Sequence, residues 1–265
     1  EDYKAQRPPS PPELRHQFDR VKQLMRTFGV QVFEVEGFEA DDVIGTLAHQ
    51  AESQDLDTII LTGDRDTFQL ISPGVRVDLS YSVQDRKVYD EQELQERYSG
   101  LTAAQQPDFK ALLGDSSDNI PGVPRVGEKR AIALLNEYET LEGVYQNIEN
   151  VKPPSVKQSL IDSKERAFEN RFLTTISRDA PVTFTPGENI FGGYNRQSVI
   201  DILTELEFFS VVNRLPDNSV ETEKVDDIPK APSLPNKQSS DTQYEIIRDE
   251  AHLERMVSEI TAAGS

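Results

Sequence analysis

The sequence contains no cysteine, only three histidines and no long apolar run, and each absence excludes a class of protein. A chain without cysteine cannot form a disulfide scaffold, a thiolate zinc site or a cysteine nucleophile. The histidines, at positions 16, 49 and 252, are too scattered in sequence for a histidine-rich metal site. No apolar stretch approaches the roughly 20 residues of a membrane-spanning helix, and the first residues lack a signal-peptide core. We therefore expect a cytoplasmic protein that does not contact a membrane.

Basic residues are also scarce: 28 Lys and Arg stand against 47 Asp and Glu, which gives a net charge of −19 at pH 7. A uniformly acidic surface would repel the phosphates of nucleic acid. The acid is local, however, because residues 34–66 hold ten carboxylates and a single basic residue, Arg65. Metal cations can neutralise such a cluster, so the net charge alone does not exclude a nucleic-acid partner.

The two ends of the chain indicate a piece of a longer protein. The first residue is Glu rather than Met, and residues 216–243 are rich in Asp, Ser, Asn, Lys and Pro with few apolar side chains. That composition is typical of a flexible linker. Beyond it, residues 244–247 predict a strand and residues 249–262 a helix. We therefore expect a body that ends near residue 215, a linker, and the start of a further domain at 244–265.

Up to residue 71 the hydrophobic pattern alternates between helix and strand. Ser10 begins a capping box, and apolar side chains at helical spacing follow it as far as Gly29. Residues 30–35 and 58–62 predict strands, and residues 39–53 and 64–71 predict helices. The unbroken apolar run at 58–62 is typical of a strand covered on both faces. Strands separated by a helix predict a parallel α/β sheet, here within residues 1–100.

From residue 90 onward the predicted elements are mainly helices. They are expected at residues 90–98, 103–113, 127–137, 140–148, 154–162, 164–177 and 196–208. The α/β body is therefore expected to be followed by an α-helical half over residues 101–215.

Seven carboxylates follow the predicted strands or a predicted helix, and they are candidate metal ligands. In an open parallel sheet, ligands bind at the carboxyl ends of the strands, so clusters that follow neighbouring strands meet at one edge. Oxygen ligands without nearby histidine or cysteine favour Mg²⁺ or Mn²⁺ over zinc. Two such ions would activate a water molecule and stabilise the leaving oxygen of a phosphodiester. The alternative is that these side chains cap helices on a solvated acidic face. The seven are Glu39, Asp41, Asp42, Asp64, Asp66, Asp115 and Asp118.

The stretch 120–131 links a Pro- and Gly-rich turn to the start of a predicted helix. Gly122 and Gly127 would let backbone N–H groups face outward, and a helix N-terminus attracts phosphate. Arg125, Lys129 and Arg130 make this segment basic, and contacts of this kind hold a nucleic-acid backbone without reading its bases. The alternative is an ordinary turn between helices with solvated cations. Neither a P-loop nor a Gly-x-Gly-x-x-Gly motif occurs, so a nicotinamide-dependent enzyme is not supported.

Four motifs occur in the order and spacing of one family: residues 37–42 (GFEADD), 62–66 (TGDRD), 112–119 (LLGDSSDN) and 122–129 (GVPRVGEK). The chain resembles the 5′-3′ exonuclease, flap endonuclease-like domain of bacterial DNA polymerase I, from about residue 3 to about residue 215. The resemblance implies an α/β fold with a parallel-sheet, PIN-like nuclease body and an α-helical half that carries a helix-three-turn-helix motif. It also implies a monomeric enzyme of replication and repair that uses two Mg²⁺ or Mn²⁺ ions. Its substrates would be 5′ ends, 5′ flaps and RNA primers on branched or nicked duplex DNA.

The resemblance also assigns roles to single residues. The seven carboxylates would be metal ligands, and residues 120–131 would be the helix-three-turn-helix that grips the duplex backbone and can hold K⁺. Lys4 and Arg7 would end the helical arch through which a single strand passes, and would face the scissile phosphate; alternatively, they are solvated cations. Arg125 and Arg130 depart from the family, which usually has small or neutral residues there. Residues 244–265 would begin a 3′-5′ exonuclease-like domain.

The family's first strand–helix–strand unit, which carries two further metal-site Asp residues, has no counterpart after Glu1. The nuclease body is therefore expected to be incomplete at its N-terminus, and residues 1–265 alone are expected to bind branched DNA but to cut it poorly. A non-catalytic module that binds branched DNA is the alternative, although such a module would gain nothing from the carboxylates. A Ca²⁺-binding interaction protein is disfavoured, because no EF-hand pattern occurs.

Overall fold

A small sheet, flanked by helices, places the first acidic segments of the chain. The computed structural model describes residues 4–6, 11–80, 82, 85–188 and 190–216, and these belong to one unit that spans Glu1–Val220. Arg7, almost all of the predicted linker at 216–243, and the predicted strand and helix after it lie outside the described residues. The division of the body into halves at residues 100 and 101 stays a prediction.

The sheet has three strands, β1 (Thr58–Thr62), β2 (Val75–Ser80) and β3 (Arg86–Tyr89), in the order β1-β2-β3. β1 and β2 are parallel, and a 3-10 helix at Arg65–Leu70 lies in the connection between them. The sheet therefore contains a parallel pair, as predicted, but the partner of β1 is β2, which the sequence analysis did not identify, and not residues 30–35. β3 was missed as well, and it pairs with β2 in the antiparallel direction.

Two predictions for this region are wrong. Residues 30–35 form no strand, because no described segment pairs with them and an extended segment without a ladder partner is not a strand. β1 is also not covered on both faces: Ile60 is 5% exposed, but Ile59 and Leu61 are 58% and 64% exposed. The side chains of a strand alternate between its two faces, so the described elements cover only the face that Ile60 occupies.

Most helices agree closely with the sequence pattern, although the short helix at Phe209–Val212 was not predicted. A 3-10 helix at Ala103–Gln105 precedes one of them, and another lies at Ile148–Asn150. Within the part of the chain that the structure describes, no helix is both long and apolar enough to cross a membrane. The α-helices are α1 (Pro12–Thr27), α2 (Ala40–Glu52), α3 (Glu91–Arg97), α4 (Gln106–Leu113), α5 (Glu128–Tyr138), α6 (Leu141–Gln146), α7 (Pro154–Asp162), α8 (Lys164–Thr174), α9 (Arg196–Glu205) and α10 (Phe209–Val212).

One apolar core joins the sheet to the helices that follow it. It extends in sequence from Ala48 in α2 to Ile176 after α8, and it includes Phe68 and Leu112, which are completely buried. The ring of Phe68 lies 4.7 Å from that of Tyr89 between centroids. Because the acidic segments at the end of β1 and after α4 both extend from this core, their relative position is fixed by packing.

Candidate active site and nucleic-acid interface

The first acidic segment is held at the start of α2. The Asp42 Oδ2 atom accepts a hydrogen bond from the N–H of Glu39 at 3.2 Å, and Asp41 Oδ1 accepts one from the N–H of Asp42 at 3.0 Å. Asp42 Oδ1 also accepts a hydrogen bond from the N–H of Ser177 at 2.8 Å, which ties the helix start to the segment after α8. Burial, followed by the negative charges of Glu39 and Asp42, raises the pKa of Asp41.

The second acidic segment follows the carboxyl end of β1, as the sequence predicts. Asp64 caps the 3-10 helix, since its Oδ1 atom accepts a hydrogen bond from the N–H of Asp66 at 2.9 Å. The Thr62 hydroxyl oxygen in turn accepts a hydrogen bond from the N–H of Asp64 at 3.0 Å. The Asp64 carboxylate is therefore placed at the strand end by a local contact with the Asp66 backbone.

The third acidic segment is the loop of a short hairpin formed by β4 (Gly114–Asp115) and β5 (Ile120–Pro121). Asp115 Oδ1 accepts hydrogen bonds from the N–H and the hydroxyl of Ser117, at 2.8 and 2.6 Å. The main-chain carbonyl of Asp118 accepts a hydrogen bond from the N–H of Lys4 at 3.1 Å. The hairpin thus brings the third segment next to the N-terminal residues of the chain.

Two lysines bridge carboxylates from different segments. The Lys4 ammonium contacts the Glu39 carboxylate and lies 3.8 Å from Asp118 Oδ2. The Lys110 ammonium, on α4, contacts the Asp66 carboxylate and donates to Asp115 Oδ2 at 2.8 Å. Lys110 was missed by the sequence analysis. The feature of the sequence that could have identified Lys110 is its position among buried apolar residues of a helix, five positions before Asp115.

Asp66 and Asp115, the two partners of Lys110, have pKa values shifted in opposite directions, because burial and the Lys110 ammonium oppose each other at both carboxylates. Burial raises the pKa of Asp66 to about 6, against the opposing ammonium of Lys110. Burial acts in the same direction on Asp115, but hydrogen bonds from Lys110 and Ser117 outweigh it and lower the pKa of Asp115 to about 2. The pKa of Lys110 is raised, because the two carboxylates outweigh the effect of its burial.

The carboxylates surround two adjoining cavities. A cavity of about 600 Å³ is lined by Lys4 and by six of the seven carboxylates. Asp115 lines a neighbouring cavity of about 1170 Å³, and Asp64 and Asp66 line both. The three acidic segments therefore lie close together near the end of β1, as the sequence predicts. Among the described residues, however, no group of three or more Asp, Glu, His or Cys side chains is arranged to hold one metal ion.

The glycine-containing turn leads from β5 into α5. A Cβ atom added to Gly122 would overlap the carbonyl oxygen of Leu113 and would lie 2.8 Å from the backbone nitrogen of Gly114. Val123 and Val126 are buried and anchor the turn, and the N–H of Val123 donates to the Leu112 carbonyl at 2.8 Å. The turn is therefore packed directly against the end of α4, and Gly122 lines the same cavity as Asp115.

The basic residues of the turn are exposed. Arg125 has a φ of +68°, a conformation that is uncommon for a residue with a side chain, and the Arg130 guanidinium donates to the Arg125 carbonyl. Gly127 is the N-cap residue of α5, and Lys129 lies in its first turn. A buried side chain missed from the sequence, Asn170 on α8, donates to the Pro121 carbonyl at 2.8 Å and holds this region against α8.

Comparison with known proteins places the chain in a family. Two consecutive family profiles match it: the 5′-3′ exonuclease N-terminal resolvase-like domain over residues 1–99 and the 5′-3′ exonuclease C-terminal SAM fold over residues 101–197. The chain is 40% identical over 225 residues to DNA polymerase I of Bacillus caldotenax, and the matched region covers 84% of this chain and 26% of the relative. It is 42% identical over 218 residues to DNA polymerase I of Caldicellulosiruptor bescii, which covers 81% of the chain and 25% of that protein.

Solved structures show the same fold at lower identity. The T5 D15 protein co-crystallised with metal ions has a TM-score of 0.55 at 21% identity, over 80% of this chain and 75% of that chain. The T5 5′-exonuclease with bound divalent zinc ions also has a TM-score of 0.55, at 23% identity over 80% and 77% of the two chains. The present chain spans about a quarter of the length of the curated relatives it matches. With both family domains present in order, the chain belongs to the 5′-3′ exonuclease family.

Proposed function

We propose that this chain is the nuclease part of a DNA polymerase I-type protein and hydrolyses phosphodiesters at the 5′ ends of DNA, at 5′ flaps and in RNA primers. One observation carries the proposal: the start of the turn at residues 120–131 lines the same cavity as three of the seven carboxylates. Gly122 of the turn and Asp64, Asp66 and Asp115 all face it. A backbone phosphate held at the turn would place a neighbouring part of the same nucleic acid against the carboxylates, and such positioning supplies much of the rate of an enzyme.

Divalent cations fit the acidic site by the chemistry of its donors. All candidate ligands are carboxylates, which suit Mg²⁺ or Mn²⁺, and the lysines that now bridge four of them show that positive charge is stabilised there. Divalent ions bound there would supply a more acidic water molecule and would stabilise charge on the leaving oxygen. Two ions at this site and K⁺ at the turn remain proposals. The residues that would hold the divalent ions are Glu39, Asp41, Asp42, Asp64, Asp66, Asp115 and Asp118.

The remaining residues of the site bind and orient the substrate. Lys4 lies on the wall of the carboxylate cavity and carries the charge that a scissile phosphate requires. Arg7, outside the described residues, is proposed to act beside it. Arg125, Lys129 and Arg130 are exposed at the turn, where they contact backbone phosphates regardless of sequence. The T5 flap endonuclease, solved in a complex with DNA and metal ions, has the same fold, which supports DNA as the substrate.

The proposal is tested with a hybrid polymerase. Residues 1–215 of this chain replace the matching part of Bacillus caldotenax DNA polymerase I, and the hybrid is mixed with a 5′-flap duplex, a nicked duplex and an RNA-primed duplex. We expect Mg²⁺- or Mn²⁺-dependent release of 5′ products that a chelator abolishes. The 265-residue chain, assayed beside it as a monomer, is expected to bind the same DNA and to cut it poorly. A hybrid that binds the DNA without cutting it would contradict the proposal.

A non-catalytic module that binds branched DNA is the second candidate. The observation that favours it is the absence, among the described residues, of three carboxylates arranged around one ion. The hybrid separates the two candidates directly, because a binding module would retain affinity for flap DNA and release no product at any concentration of Mg²⁺ or Mn²⁺.

Lys129→Ala is expected to weaken DNA binding equally for all duplex sequences. The loss of one phosphate contact should make the salt dependence of binding shallower by about one unit in the log–log plot. The measurement is fluorescence anisotropy of two unrelated duplexes between low and moderate salt. Lys152→Ala, an exposed lysine outside the turn, is the matched control and should leave the slope unchanged. A loss confined to one sequence would count against a phosphate contact here.

Divalent cation affinity is expected to fall in acid. Because Asp66 has a pKa of about 6, it is mostly protonated at pH 5 and mostly ionised at pH 7, and a proton competes with a cation for the carboxylate. Mn²⁺ binding, measured by calorimetry, should weaken by about tenfold from pH 7 to pH 5. In Asp66→Asn the affinity should be lower at pH 7 and should vary less with pH. Equal Mn²⁺ affinity of the unmodified chain at both pH values would show that Asp66 is not a ligand.

A further inference from the structure

The side chain of Phe172 is the most exposed large apolar group among the described residues. It is 82% exposed, and its neighbour Leu173 is 41% exposed. Single apolar side chains on a surface are common and need no explanation by themselves. Phe172 differs in its location, because it lines the carboxylate cavity together with Lys4 and Glu39.

The exposure of Phe172 does not result from a loose helix end. Phe172 lies in the last turn of α8, where the adjacent residues are fixed by contacts with other parts of the chain. Arg171 donates to Glu142 at 2.7 Å, and the carbonyl of the buried Thr174 accepts a hydrogen bond from the Gln69 side chain at 2.9 Å. The backbone therefore holds the aromatic ring at the wall of the cavity.

We propose that Phe172 is a stacking platform for the unpaired base at the 5′ end of the strand that enters the carboxylate site. This inference rests on the proposed function and specifies how that site takes its substrate. A flat apolar ring beside charged groups fits a ligand that combines a flat apolar face with a phosphate, and a nucleotide has this combination. Within a duplex both faces of a base are covered by its neighbours, so only a terminal or unpaired base offers a free face to the ring.

The platform would act on bases of any sequence. Every base has a π-face, so stacking on an aromatic side chain holds a nucleotide without reading its identity. In the proposed site, the turn at 120–131 binds the duplex backbone, the carboxylates surround the reacting phosphate, and Phe172 fixes the base next to that phosphate. The preference of the site for an unpaired 5′ end over a continuous duplex would arise in part at this ring.

The test is a cycle of two changes, one in the protein and one in the DNA. Binding of the 265-residue chain is measured by anisotropy with Ca²⁺ as the divalent ion and with the DNA checked for integrity. The DNA carries a single unpaired 5′ thymidine or an abasic nucleotide at the same position. For the unmodified chain, loss of the base should weaken binding by about 5- to 150-fold, the range measured for stacking of one base on an aromatic side chain.

Phe172→Ala should bind the thymidine DNA as weakly as the unmodified chain binds the abasic DNA, and loss of the base should then have no further effect. Phe172→Trp should restore the effect of the base. Phe209→Ala, a phenylalanine that is 59% exposed on α10, is the control and should behave as the unmodified chain. Ultraviolet crosslinking of a 5′ 5-iodouracil should label Phe172, identified by mass spectrometry.

The remaining outcomes overturn the inference in distinguishable ways. If Phe172→Ala binds both DNAs as well as the unmodified chain, the stacking role is wrong and the proposed nuclease function is unaffected. If Phe172→Ala weakens the binding of both DNAs equally, the ring affects the protein fold or contacts the DNA backbone, and it does not stack on the base. If the chain binds neither DNA and the hybrid polymerase releases no product, the proposed function fails and the inference fails with it.

Discussion

Replacing Asp64 and Asp66 together with Asn in the hybrid polymerase is expected to lower metal-dependent cleavage of a 5′ flap by at least about 100-fold. Loss of a single group that stabilises charge in a transition state costs this much in other enzymes. Among the described residues, Asp64 and Asp66 are the two carboxylates that line both cavities. Binding of flap DNA should persist or become tighter, because two negative charges are removed beside the phosphates.

The control for this prediction is the Asp55→Asn, Asp57→Asn double variant. These carboxylates belong to the same acid-rich stretch, residues 34–66, and are exposed, but they line neither cavity. The control therefore removes the same charge without changing the proposed site, and its cleavage rate should stay within about twofold of that of the unmodified hybrid. Cleavage by the Asp64, Asp66 double variant at the rate of the control would reject these residues as metal ligands.

Gly122→Ala is expected to destabilise the fold by about 3 kcal/mol, at the upper end of the range for a group inserted into a packed region. The added methyl group would overlap the carbonyl of Leu113, and the backbone of Gly114 leaves it no room on the other side. Neither contact involves a flexible side chain, so the hairpin and the end of α4 must move apart. Chemical denaturation of the 265-residue chain measures the change in the free energy of unfolding.

Gly127→Ala provides the matched comparison within the same turn. No atom lies within 4 Å of a Cβ added to Gly127, and its φ of −92° is accessible to alanine. We expect a cost of at most about 1 kcal/mol, from a poorer N-cap residue for α5. Equal stability of the two variants would show that the turn is not packed against α4 as described.

Much of the site could be predicted because its residues follow elements with strong patterns. Asp64 and Asp66 stand at the end of an apolar run, and β1 ends there in the structure. Asp41 and Asp42 begin a helix whose amphipathic pattern is clear, and α2 begins at Ala40. Local backbone geometry places these carboxylates, so sequence position alone locates them. Their roles as ligands stay predictions.

What could not be predicted depends on contacts between distant parts of the chain. Lys110 reaches Asp66, 44 positions away, and Asn170 reaches Pro121, 49 positions away. β3 pairs with β2 in a register that the pattern of Arg86–Tyr89 does not specify, since only Tyr89 in that strand is buried. Residues 30–35 show the converse: their pattern favours a strand, but a strand requires a partner, and sequence periodicity does not reveal whether one is available.

The two bridging lysines have a consequence for how the acidic site would bind cations. Lys4 and Lys110 give the acidic site internal counterions, which reduce the repulsion among its carboxylates. In the proposed site, cation uptake would be an exchange. An incoming ion would displace an ammonium group from its carboxylates, and that ammonium group would then be available to a substrate phosphate. The occupancy of the site by metal and its affinity for a substrate phosphate would therefore increase together.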